Sequence, residues 1–192
     1  MGMDINGLNP KIVGDEPVFP KDWDTLSDKA KDYYHELDKE YHDNNPGVYF
    51  RANIWSWRPI HLAIVQANIS LELEIDDDTI ADMSLNAGAG LKTQKECNEL
   101  AEGLEMLADG MEEDGVTEFG FAFGYWNYRD GAMIVDEEDT KTLNEEYKYG
   151  TILTEMPVKL LDKDVWPAHV TQVEHLREFV EFLRHCGGFE VW

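Results

Sequence analysis

The stretch "TQKECNELAEGLEMLADGM", Thr93 to Met111, limits the possible folds of this chain more than any other. Thr93 followed three residues later by Glu96 is a capping box, which satisfies two backbone N–H groups at a helix start. The spacing predicts a helix from there to about Ala108, with Gly110 near its end. At about 100° per residue, Cys97, Leu100, Ala101, Leu104, Leu107, Ala108 and Met111 fall within an arc of about 120°. Glu102, Glu105, Asp109 and Glu112 fall in a neighbouring arc of about 80°. One face of this helix must be buried, and the face beside it is a ridge of carboxylates.

A second helix with a wide apolar face is expected near the C-terminal end. Thr171 with Glu174 has the form of another capping box. Val173, Leu176, Phe179, Val180, Phe182, Leu183 and Cys186 then cover half the circumference of a helix over 172–185, which implies deep burial. Gly187 ends it, and "FEVW" reads as a short terminal extension. The two capped helices are expected to pack on each other or on the tryptophan-rich segment described next.

That segment is "VYFRANIWSWRPIH", Val48 to His61. Arg51 and Arg58 are the only Lys or Arg between Lys39 and Lys92. With 48–57 extended or turned and a helix over 59–69 after Pro59, Trp55 and Trp57 point to one face. Two readings stay open. In one, the tryptophans are walls of a ligand pocket and the arginines are anion clamps, with Asn86, Gly88 and Gly90 of the "NAGAGL" turn completing a small-molecule or nucleotide site. In the other, the segment is core and its arginines pair with carboxylates. The turn lacks the lysine of a P-loop and the glycine spacing of a dinucleotide fold.

Elsewhere, residues 1–24 read as an irregular lead-in. An amphipathic, aromatic helix is expected from Thr25 or Ser27 to about His42, stopped by "NNPG". Leu71 to Ile75 alternates like a short strand, and so does 117–128. Residues 129–150 read as acidic loop, and "TILTEMPVKLLD" as a weak strand. The fold class that follows is α+β and helix-dominated: an N-terminal arm and helix over 1–47, then one compact, helix-rich globular domain over 48–192.

Composition narrows function. Forty Asp and Glu against sixteen Lys and Arg give a formal net charge of −24. Such a surface repels phosphate backbones and anionic headgroups, which argues against direct nucleic-acid or membrane binding. From Pro59 to Tyr128 there are fifteen acids and two lysines. No run of about 20 apolar residues is present, no basic-then-apolar leader opens the chain, and Asn6 spoils a myristoylation signal. A soluble, intracellular protein is expected. The two cysteines, Cys97 and Cys186, read as buried hydrophobes rather than a disulfide framework. None of the six histidines forms a metal motif, and no nucleophile elbow or EF-hand spacing occurs, so no metal, cofactor or catalytic residue is assigned.

"VYFRANIWSWRPI", the "NAGAGL" turn before a cysteine-containing helix, and "LREFVEFLRHCGGFEVW" together resemble a family of uncharacterised proteins of bacteriophage and prophage genomes. The resemblance covers about a third of the chain and implies a phage origin and a bacterial cytoplasm. Small acidic phage proteins often inhibit host defence or nucleic-acid machinery. Together with the ridge Glu102, Glu105, Asp109 and Glu112, this sets the expectation: a non-enzymatic protein that binds a basic host protein, as a nucleic-acid mimic or an anti-defence inhibitor.

Overall fold

The computed structural model describes residues 2–121, 127–129, 132–134 and 169–192. Its first element is a strand. In β1, Gly2–Gly7, Met3 and Ile5 are buried while Asp4 and Asn6 face out, the two-residue period of a half-buried strand. β1 is the centre of an antiparallel sheet, between β2 (Tyr49–Asn53) and the terminal β7 (Phe189–Val191). The irregular lead-in expected over 1–24 therefore begins only at Leu8. "FEVW" is not an extension but an edge of this sheet, and reciprocal bonds between Asp4 and Trp192 (2.7 and 2.8 Å) continue the ladder.

A 3-10 turn, Trp23–Thr25, leads into α1, Asp28–Asn44, which starts at Ser27 as expected. Only Tyr41 of α1 is buried. The arm is tied to the end of this helix by Asn45, whose amide group bonds both the N–H and the carbonyl of Val13 (2.6 and 3.0 Å).

α2 runs Ile54–Leu71, five residues earlier than the expected start at Pro59. The reason is local. The Asn53 side chain accepts from the N–H groups of Trp55 and Ser56, a strong N-cap, and the helix it starts carries Pro59 in its second turn, where the ring supplies no N–H to the helix ladder. The strand expected at 71–75 is absent. Glu72 ends α2 in the left-handed region, and the Asn68 amide holds both backbone groups of Ile75 (3.1 Å each), so the ladder bonds of a strand are replaced by one side chain. α3, Asp77–Met83, follows, capped by Asp76.

α4 spans Gln94–Glu113 with the Thr93–Glu96 capping box in place, and it continues past Gly110. β3 (Glu118–Phe121) pairs antiparallel with β6 (His169–Gln172), and β4 (Asn127–Arg129) with β5 (Ala132–Ile134). β3 and most of β4 fall in the strand expected over 117–128, while β5 shows that the stretch expected as loop contains strand. The strand expected in "TILTEMPVKLLD" lies outside the described residues. α5, Val173–His185, matches the expected bounds, but the expected capping box does not form. Gln172 is the N-cap, while Thr171 is buried in β6 opposite Phe119.

α4 and α5 pack antiparallel in the most extensive helix contact of the fold. Phe179 of α5 lies at the centre of the core, with ring centroids 5.1 Å from Phe50, 5.6 Å from Trp57, 5.9 Å from Phe182 and 6.0 Å from Phe189. One residue of α5 thus joins the sheet, α2 and the C-terminal strand. The result is the helix-dominated α+β fold expected, and no helix among the described residues is long and apolar enough to cross a membrane.

Candidate functional site

The tryptophan–arginine segment divides rather than converges. On a helix, residues two apart diverge by about 200°. Trp57 is fully buried and donates its indole N–H to the Met83 carbonyl at 2.9 Å, whereas Trp55 is 58% exposed. The shared face expected for the two rings does not exist. Arg51 is exposed on β2, opposite Asp4 in register. Arg58 is half-buried on α2 and has a partner of its own.

The "NAGAGL" turn is packed against the C-terminal strand. The Gly88 N–H donates to the Val191 carbonyl, and Val191 donates back to Ala89. The Asn86 amide reaches the Gly2 carbonyl at 3.5 Å. A Cβ on Gly90 would stand 2.1 Å from the Phe189 carbonyl oxygen, and Gly88, at φ 72°, lies under the Trp192 ring. These glycines admit a neighbouring strand. The pocket residues of the alternative reading are thus spread over core, sheet edge and turn.

A cleft of about 220 Å³ does open nearby, lined in part by Glu74, Asp76, Lys92, Glu96 and Glu99. Two of its carboxylates cap helices. Asp76 is held by the Thr79 hydroxyl and N–H, and Glu96 by the Thr93 hydroxyl and N–H; both lie below the usual carboxylate range for that reason. Among the described residues no group of three or more His, Cys, Asp or Glu is arranged to hold a metal ion.

The acidic ridge is formed, and its inner row is engaged by the chain's own cations. Arg177 of α5 donates to Asp109 at 2.7 Å and to both Glu112 oxygens at 3.0 and 2.6 Å. Arg184, two turns further, donates to Glu105. The hydrogen bond from Arg177 holds Glu112 below the usual carboxylate range, and the two carboxylates push the guanidinium up. The order is that of an antiparallel pair: Arg177 early in α5 meets the end of α4, and Arg184 meets its middle. Three of the four ridge residues are therefore tied to α5. Glu102 is exposed and makes no ion pair among the described residues.

The clamp itself was missed in the sequence, although its signal is there. Arg177 and Arg184 stand seven residues apart on one helix face, the same repeat as Glu105 and Glu112. Outside the clamp lies a second row. By helical period Glu102, Met106 and Glu113 are within about 40° of one another, and all three are exposed, Met106 by 63%. Comparison with models of protein families, with curated proteins and with solved structures finds no match to this chain.

Proposed function

We propose that this chain is a non-enzymatic interaction protein of phage type, acting in the cytoplasm of a bacterial host, where its α4–α5 face binds a basic host protein. The observation that carries this reading is the outer row of α4, in which exposed Met106 sits between exposed Glu102 and Glu113. The two helices together bear ten carboxylates (seven on α4, three on α5) against three Lys or Arg, so the pair stays strongly acidic after its own cations are counted. The clamp adds to the reading. Carboxylates already fixed by Arg177 and Arg184 lose less side-chain freedom when a partner docks. Methionine supplies an adaptable apolar contact, and acids around it steer and select a cationic surface.

Carboxylates every three or four residues on a helix recur about 4.5–6 Å apart along the axis. That spacing supports the nucleic-acid-mimic form of the reading, with a nucleic-acid-binding or defence complex as the partner.

The test is capture from host lysate by the full chain at low and high salt, with nucleic acid as competitor. The triple variant Glu102→Gln, Met106→Ala, Glu113→Gln leaves every Arg177 and Arg184 contact intact. Capture of the basic partner is expected to fall about tenfold in the variant and to be displaced by nucleic acid. Capture that is equal in both proteins and indifferent to salt refutes the proposal.

A further inference from the structure

Cys97 lies in the first turns of α4 and Cys186 immediately follows α5, so the antiparallel packing that aligns the arginine clamp also brings these two ends together. The sulfurs are 3.6 Å apart, both fully buried and both free thiols. They are 89 positions apart in the chain. No sequence pattern pairs them. Their partnership appears only because the start of one helix lies beside the end of the other in an antiparallel pair.

The surroundings fix this meeting. Gln94 spans the two helices, its amide N–H donating to the Leu183 carbonyl and its oxygen accepting from the Gly187 N–H, both at 2.8 Å. Gly187 and Gly188 turn the chain at φ 66° and 104°, values that L side chains rarely adopt. The turn is wedged as well: a Cβ on Gly187 would stand 2.2 Å from the Asn9 carbonyl oxygen, and one on Gly188 2.8 Å from that of Lys92. Cys186 also donates to the Leu183 carbonyl at 3.4 Å, and the contact with Cys186 together with burial pushes the Cys97 thiol up.

We propose that Cys97 and Cys186 are an oxidation site, forming an intramolecular disulfide when the protein meets a low-molecular-weight disulfide such as oxidised glutathione. Both sulfurs are buried, so the reaction passes through a local opening of the turn at Gly187 and Gly188. One thiol of the pair gives up its proton and attacks one sulfur of the reagent, breaking its S–S bond and releasing one reagent thiolate. The other thiol then gives up its proton and attacks the protein sulfur of the mixed disulfide, expelling the second reagent thiolate. Two protein thiols are oxidised, one reagent disulfide is reduced to two thiols, and the two protons pass to them. The bond requires the sulfurs to close by about 1.5 Å to reach the S–S bond length. Its product covalently joins the start of α4 to the end of α5 and closes a long loop, the case in which a cross-link stabilises most. This inference is independent of the interaction reading.

The reduced full chain, freed of reductant, is incubated with oxidised glutathione, denatured, alkylated with iodoacetamide and weighed intact. The expected product carries no alkyl group and is lighter by two hydrogens. Its Tm rises by about 5 °C or more, reversibly with dithiothreitol. In Cys97→Ala the same treatment leaves one glutathione adduct or one alkylated thiol and no rise. Two alkylated thiols in the wild type, a glutathione adduct on it, or disulfide-linked dimers overturn the proposal, and this mass readout does not depend on the variant folding.

Discussion

Trp57 and Trp55 show how little residue type alone decides. Both belong to one aromatic segment, yet one is the largest fully buried side chain among the described residues and the other is mostly solvent-exposed. The difference comes from Asn53, which starts the helix early and so rotates the two rings apart. Trp57 contributes area against Phe179 and one bond to the Met83 carbonyl. Replacing it by Ala removes both, and the expected loss of stability in denaturant titrations is about 3–5 kcal/mol. Trp57→Phe keeps most of the packing but orphans that carbonyl, for an expected loss of about 1–3 kcal/mol. Trp55→Ala is expected to cost about 1 kcal/mol or less. A Trp55 variant as damaging as the Trp57 variant would mean that the exposed ring carries packing the fold does not show. The reading of this segment as core was legible for Trp57, because fully buried indoles need one acceptor and an apolar wall. It was not legible for the arginines, since their placement depends on strand register and helix phase that no local pattern sets.

Elements with their own start signal and a long apolar stripe were readable. α4 was found from its capping box and its period, and α5 from its wide apolar face. Elements that exist only because something pairs with them were not. β1 shows just two inward residues, Met3 and Ile5, and β7 also two, Phe189 and Val191; β1 is a strand because β2 and β7 supply its hydrogen bonds, and β7 because β1 and the turn at Ala89 supply its own. The same distinction separates two glycines of α4. Gly103 lies where α4 crosses α2, and a Cβ there would be 2.9 Å from both the Ala67 Cβ and the Leu71 Cδ1. Gly110 has open space. In a helix, Gly to Ala gains about 1 kcal/mol from backbone entropy. Gly110→Ala is therefore expected to raise stability by about 0.5–1 kcal/mol. At Gly103 the overpacking cost of about 1–3 kcal/mol opposes that gain, and a net loss is expected. Thermal denaturation of the two single variants checks the signs. Equal gains at both would show that α2 and α4 can move apart freely.

At the scale of the whole molecule, a formal charge of −24 has to be reconciled with a compact core. Two long-range electrostatic effects compete. The arginine clamp attracts α4 to α5, but Arg177, Arg184 and their partners are all substantially exposed, so the attraction is screened by water and contributes modestly. Against it stands the mutual repulsion of forty carboxylates, which acts over the whole surface and favours expansion. Added salt weakens both, since the Debye length falls from about 30 Å at 0.01 M to about 8 Å at 0.15 M ionic strength. Close pairs within hydrogen-bond distance lose less than charges spread over the surface, so the repulsion is relieved first. Tm is therefore expected to rise as sodium chloride is raised from about 0.01 to about 0.15 M. Arg177→Gln, which adds one more net negative charge and releases Asp109 and Glu112, is expected to melt lower than the wild type at low salt and to gain more from salt. A Tm that falls with salt in the wild type, and falls less in Arg177→Gln, would reverse this ordering. It would make the clamp, rather than the buried apolar stripes of the two helices, the main stabilising contact between α4 and α5.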